Sequence, residues 1–269
     1  MSLNLIKLSS KGDYLIDQES IKYWDDEENE KHKIFNFKDR GFNDIEKSKK
    51  YIYLLNHINT LFDKHKVDYK NNNILSIASG SCWIESQIFQ DQKFKNLTCI
   101  DVSQHRIHKL APLTFNHYGF KVGVNLIHGS IFDIGEVKKS TYDVVLLCQA
   151  FHHIDEPIRL LRILKNIMNN NGIIIITGEH YYSNLEYHKR SIKHFIKYFI
   201  NHNNYRDLHN IYPSWQDLFK PCYQKGDIHW SLSEYDFIFK KAGFSNFHHH
   251  INNSKRYQSF VLRQIENTI

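Results

Sequence analysis

Five short runs of nearly unbroken apolar residues do most to limit what this chain can fold into. They occur in NNNILSIASG (from Asn71), NLTCIDVS (from Asn96), VNLIHGS (from Val124), YDVVLLCQAF (from Tyr142) and GIIIITGEH (from Gly172). Each is too short for a helix of ordinary length and lacks the polar alternation of a strand with one wet face. A strand that is apolar on both faces must be covered on both, which is the condition of a parallel sheet between helical layers. The segments between the runs supply those layers. DIEKSKKYIYLLNHINTLF sets Ile45, Tyr51, Leu54, Leu55, Ile58 and Leu61 at helical spacing, and a second helix is predicted from Gln104 towards Phe115. PIRLLRILKNIMNNNG presents Leu160, Leu161, Leu164, Ile167 and Met168 on one side and is predicted to end at NNNG. Right-handed crossovers between such units give an α/β fold with a doubly wound sheet.

The regularity breaks at Tyr181. Residues 181–230 are aromatic and basic and read as an insertion after the fifth strand. SLSEYDFIFKKAGF then reads as an amphipathic helix stopped by Gly243, and SNFHHHI with RYQSFVLRQI as a closing strand pair. The expected organisation is a helical or irregular cap over 1–70, a core over 71–180, a lid or substrate insertion over 181–230, and 231–269 completing the core. Cys82, Cys99, Cys148 and Cys222 form no CxxC pair, and the N-terminus MSLNLIKLSSKGDY lacks an apolar stretch of signal-peptide length. No apolar run is long enough to span a bilayer. A reducing, cytoplasmic setting without a membrane partner is the expectation. The net charge of +6 is compatible with an anionic acceptor, but the lysines are dispersed rather than gathered into the basic stripe that RNA would require. Oligomeric state is not readable from these features.

In open α/β sheets, ligands bind beyond the carboxyl ends of the strands. Unusual polar residues collect there: Ser79–Ser81, Asp101, Gly129–Ser130, Gln149–His153 and Glu179–His180. Gly80 permits close backbone approach, and some twenty residues later Asp101 ends the second strand, where a carboxylate can take both hydroxyls of a ribose. A pyrophosphate is disfavoured. GSCWIE puts Trp83 and Glu85 where a dinucleotide turn has its third glycine, which argues against an NAD-dependent oxidoreductase. A cationic nucleoside carrying an amino-acid tail fits better.

In their order, ILSIASGSCWIE, TCIDVS, HGSIFDI, YDVVLLCQAFHHIDEP and GIIIITGEH resemble the motif series of class I S-adenosylmethionine-dependent methyltransferases. The resemblance spans residues 73–180. It implies a Rossmann-like sheet of seven strands whose last strand is antiparallel, with S-adenosylmethionine as cofactor and S-adenosylhomocysteine as product. It also implies that Ala78, Ser79, Gly80 and Ser81 line the methionyl part, Asp101 and Val102 meet the ribose, Gly129, Ser130, Ile131 and Phe132 enclose the adenine, and Gln149 passes beneath the sulfonium. Two positions depart from the family pattern: Ser76 stands where an acidic residue is usual, and Cys82 where glycine is. Glu85 is the candidate to substitute for the missing acid.

With eighteen histidines in the chain, position matters more than presence. His248–His250 lie in a predicted strand, where neighbours face opposite sides, and are read as non-catalytic. His180, His153 and His229 fall at the transfer site and are the candidate general bases, since imidazole titrates near neutrality. No His, Asp and Glu set has persuasive metal-ligand spacing; Glu179, His180, Asp227 and His229 come nearest, so no metal is expected. GSIFDI and GEH are also similar to segments of small methyltransferases that modify surface-polysaccharide sugars. The expected function is O-methylation of a small molecule, a sugar or nucleotide-linked sugar first. N-methylation, RNA methylation and a noncatalytic cofactor-binding module stay open. Tyr181, Tyr182, Tyr187, Tyr198, Tyr205, Tyr212, Trp215 and Trp230 supply either acceptor contacts or a small core of the insertion itself.

Overall fold

A computed structural model describes residues 3–8, 49–121, 123–137, 141–200, 228–250 and 257–265. The elements are β1 (Leu3–Lys7), α1 (Lys49–Lys64), β2 (Asn73–Ile77), α2 (Trp83–Ile88), β3 (Asn96–Asp101), α3 (Ala111–His117, entered through a π-helical turn His105–Leu110), β4 (Val124–His128), β5 (Tyr142–Cys148), α4 (Pro157–Ile167), β6 (Met168–His180), α5 (Asn184–Ile200), α6 (Leu232–Ala242), β7 (Phe244–His250) and β8 (Tyr257–Gln264). Short 3₁₀ turns at Ile131–Glu136 and Phe151–His153 follow β4 and β5.

The strands form one sheet in the order β1-β4-β3-β2-β5-β6-β8-β7. β1 to β6 pair in parallel, and β8 runs antiparallel to both β6 and β7. The apolar runs are explained by the pleat. Ile74, Leu97, Cys99, Val144, Leu146, Ile173 and Ile175 face one core with α1, α2 and α3. Leu75, Ile77, Ile100, Val145, Leu147, Ile174 and Ile176 face the other with α4 and α6. Alternate side chains thus enter opposite cores, so most positions of a central strand are apolar. In α6, Ser231 and Glu234 form a reciprocal capping box, and Gly243 ends the helix at φ 86°.

Two expectations require correction. The sheet has eight strands rather than seven, because Leu3–Lys7 pairs with β4 from Leu3↔Val124 to Lys7↔His128. Part of the N-terminal segment therefore joins the core. Met168–Asn171 do not simply close α4: β6 already begins at Met168, paired with Tyr142, and an irregularity precedes the Val144↔Ile173 pair. Of the expected insertion, residues 181–200 (α5 included) and 228–230 are described; Tyr205, Tyr212, Trp215, Cys222 and Asp227 lie outside the described residues, as does Ile45. Trp230 is buried at 9% exposure and packs in the core beside α6. Core membership accounts for it without an acceptor contact.

Candidate functional site

The strand order reverses between β2 and β5: β3 and β4 lie on one side, β6 and β8 on the other. The crevice beyond these two carboxyl ends is the topological switch point of the sheet. The backbone is distorted there. Ala78 (φ 51°), Cys82 (φ 57°) and Gln149 (φ 53°) all adopt left-handed conformations that non-glycine residues rarely take, as does Gly80 (φ 55°). An added Cβ at Gly80 would make only ordinary contact with the Arg106 guanidinium, at 3.4 Å, so it is the left-handed φ that favours glycine here.

Asp101 holds this turn from the next strand. Its Oδ2 accepts from the Gly80 amide at 2.7 Å and its Oδ1 from the Ser103 amide at 2.8 Å. Ser79 joins the same edge, its amide donating to the Ile100 carbonyl at 3.1 Å. A carboxylate oxygen has two acceptor lone pairs, the capacity that a ribose diol would draw on. Val102 follows it directly, and Ser81 completes the turn before α2. The Gly129 amide donates to the Asp101 carbonyl at 3.1 Å, which brings the end of β4 alongside. Ser130 caps the following turn by accepting from the Phe132 amide; Phe132 is buried under Arg159, and Ile131 is half-buried. Leu8, just past β1, closes over Gly129, where an added Cβ would meet it at 2.8 Å. Across the crevice, the Gln149 amide donates to the Thr177 carbonyl at 2.8 Å, and its side chain lies over Gly178. The structure therefore brings Ala78–Ser81, Asp101–Val102, Gly129–Phe132 and Gln149 to neighbouring strand ends.

Behind the turn sits a buried acid. Glu85 is 2% exposed; Ser76 donates its hydroxyl to Glu85 Oε1 at 2.5 Å, while Oε2 is buried with no hydrogen-bond partner among the described residues. Burial pushes the Glu85 carboxyl up to about 7, with the Asp101 charge adding to the rise and the Ser76 hydrogen bond opposing it. An acid whose folded value is raised favours the fold below its unfolded value, and this contribution is lost as the pH climbs through the folded value. Glu85→Gln should accordingly raise the unfolding free energy by roughly 3 kcal/mol above pH 8 and by little at pH 4, read by denaturant melts at the two pH values.

Past β5 and β6 lies a group of rings. The Glu179 carboxylate is fully buried, yet accepts from the Phe151 amide at 3.1 Å, the His152 amide at 3.1 Å, His152 Nδ1 at 3.0 Å and the Tyr235 hydroxyl at 3.3 Å. Burial alone would raise this carboxyl. His152, His180 and the Phe151 amide outweigh it and hold Glu179 below the ordinary range, hence ionised. In its neutral form, a His152 that donates from Nδ1 to this carboxylate has Nε2 as its acceptor nitrogen. The His152 ring centroid lies 4.2 Å from His153 and 5.3 Å from His180. His180 in turn is 4.8 Å from His229, 5.8 Å from Tyr257 and 6.3 Å from Tyr182. All three histidines expected here are thus together. His152 and Glu179, expected at the ligand-binding strand ends but not among the candidate bases, complete the group with Tyr257, which the sequence did not single out. Among the described residues, no three His, Cys, Asp or Glu side chains are grouped to hold a metal. No described helix is long and apolar enough to cross a membrane. His248 and His249 face opposite sides of β7, the first towards Gln258 and the second towards His65.

Residues 75–174 match the family model described as a methyltransferase domain. None of the curated proteins compared is significantly similar to the chain in sequence. Among solved structures, magnesium protoporphyrin IX methyltransferase from Synechocystis PCC 6803, with bound S-adenosylmethionine, superposes with a TM-score of 0.60 at 7% identity, over 95% of this chain and 100% of that one. A S-adenosylmethionine-dependent methyltransferase from Aquifex aeolicus gives 0.55 at 14% identity, over 80% and 93%. Mitomycin 7-O-methyltransferase MmcR gives 0.53 at 14% identity, over 83% and 56%. Identities this low speak for the fold: a Rossmann-like methyltransferase fold on a mostly parallel sheet. Over residues 75–174 the chain is thus similar to a methyltransferase domain, carried on a fold shared with S-adenosylmethionine-dependent methyltransferases.

Proposed function

We propose that the protein transfers a methyl group from S-adenosylmethionine to a hydroxyl of a small-molecule acceptor. The observation that carries the reading is the carboxylate-held imidazole of His152, set among rings beside the switch-point crevice. The cofactor supplies an already activated methyl carbon, so the chain's task is binding, alignment and management of one proton. The turn Ala78–Ser81 with Glu85 receives the methionyl end, Asp101 and Val102 the ribose, Gly129–Phe132 the adenine, and Gln149 lies under the transfer site. The orphaned Glu85 Oε2 fits a cationic tail and would repel a phosphate.

A hydroxyl becomes a better nucleophile as its proton leaves, and Nε2 of His152 is the acceptor for it. Ionised Glu179 stabilises the imidazolium that results, as a buried carboxylate does behind other catalytic histidines. His180, His153 and His229 then shape the acceptor's surroundings, with His180 the second candidate for the base. The pH dependence of turnover separates them. The low-pH limb should vanish in His152→Ala and persist in His180→Ala, with cofactor affinity near wild type in both. Loss of the limb in His180→Ala alone would move the base there.

A sugar or nucleotide-linked sugar remains the first acceptor class, since aromatic faces pack against the apolar face of a pyranose. A planar aromatic alcohol is the second, favoured by Tyr182 lying nearly parallel to His180 (16°) and His229 (30°); porphyrin and mitomycin methyltransferases share the fold. The segment from Tyr181 through α5 leaves from the end of β6 and acts as a lid over the acceptor. Tyr182→Ala should therefore raise the acceptor's KM several-fold or more and leave that of S-adenosylmethionine nearly unchanged. Steady-state kinetics over a panel of sugar and phenolic acceptors tests both points, and equal effects on the two KM values would remove the lid from acceptor binding.

A further inference from the structure

The turn at the end of β2 requires a negative charge if a cationic amino-acid tail is to rest against it, but the strand offers only Ser76. The acid comes from the other side. Glu85, on the first turn of α2, reaches back to accept the Ser76 hydroxyl, so its carboxylate occupies the space beside that strand position. Among the described residues, no cation figures among the groups that shift its ionisation. Asp101 on β3 is a like charge. The thiols of Cys82 and Cys99, hydrogen-bonded to each other, are buried and held neutral, pushed up chiefly by that burial. A buried carboxylate with one oxygen satisfied and the other without a donor is costly, and it is a poor choice for a merely structural role.

We propose that Glu85, from the helix, supplies the carboxylate that holds the α-ammonium of the cofactor's methionyl end in place of an acid on β2, and that cofactor affinity depends on Glu85 being ionised. The vacancy at Oε2 selects among the cofactor's cations. It requires a hydrogen-bond donor; an ammonium has three, whereas a sulfonium has none. Protonated Glu85 leaves the ammonium without its counter-charge, so binding of any ligand with that group must expel the proton. The ionisation range near neutrality places this coupling where small pH changes matter. The inference rests on the methyltransferase reading above.

Titration calorimetry of the full chain tests it, with S-adenosylhomocysteine and 5′-methylthioadenosine as probes; the second keeps the nucleoside but lacks the amino-acid tail. S-adenosylhomocysteine should bind about tenfold more weakly for each pH unit below about 7, with proton release seen in buffers of different ionisation enthalpy. Glu85→Gln should abolish that pH dependence and weaken S-adenosylhomocysteine at pH 8 by about tenfold or more. It should leave 5′-methylthioadenosine unchanged, which also shows that the variant is folded. Moving the acid back to the strand, as Ser76→Asp with Glu85→Ser, should recover most of the lost affinity. Binding of S-adenosylhomocysteine that is independent of pH and indifferent to Glu85→Gln would overturn the inference while leaving the methyltransferase reading intact. If neither probe binds the wild-type protein, it is that reading which fails.

Discussion

Glu179→Gln should lower turnover by about 10²-fold or more while cofactor affinity stays within a few-fold of wild type. The glutamine keeps the volume and one acceptor oxygen, so the Phe151 or His152 amide can still be met. What it loses is charge. Without it the imidazolium formed on His152 has no buried counter-ion, and the amide nitrogen of glutamine competes with Nδ1 for the same proton direction. The loss should appear in kcat rather than in the acceptor's KM, because the charge acts on the proton-transfer step. A structural role predicts otherwise: the four bonds Glu179 accepts also tie β6 to the Phe151–His153 turn and to α6, so Glu179→Ala should melt well below wild type. A glutamine variant with wild-type kcat and a shifted melting temperature would reduce Glu179 to scaffolding.

Asp101→Ala should weaken S-adenosylhomocysteine by about tenfold to a hundredfold, a loss on the order of 1.5–3 kcal/mol for charge-assisted bonds. Two losses combine in this variant. The ribose loses its acceptor, and the Gly80 and Ser103 amides lose the carboxylate that holds the turn in its left-handed path. Asp101→Asn separates them, since its amide oxygen can hold one of the two amides but carries no charge for the diol. Calorimetry should rank affinity as wild type, then Asn, then Ala, and an alanine variant with unchanged affinity would remove Asp101 from the site.

The central strands were legible because burial on both faces leaves no freedom in composition: Ile173–Ile176 can only be a strand whose side chains enter two cores. Gly80 and Asp101 were legible because a turn needing φ of 55° and a carboxylate twenty-one residues later meet only in one kind of strand-end site. Leu3–Lys7 was not, since an edge strand with Asn4 and Leu5 exposed has no pattern to distinguish it from its polar surroundings. The hold of a carboxylate on His152 was not legible, because Glu179 is twenty-seven residues away, across a parallel strand pair that only tertiary structure reveals. Trp230 read as an acceptor contact or as part of a small core of the insertion; Ile228, bonded through its amide to the His152 carbonyl, returns the chain to the main core two residues earlier.

The claim on which the rest depends is that the crevice between β2 and β5 takes an S-adenosyl ligand. Calorimetric titration of the full chain with S-adenosylhomocysteine and, separately, with NAD measures this directly. The account predicts saturable one-site binding of S-adenosylhomocysteine, weakened in Asp101→Ala, and no comparable binding of NAD. Preference for NAD, or S-adenosylhomocysteine affinity untouched by the loss of Asp101, would contradict it.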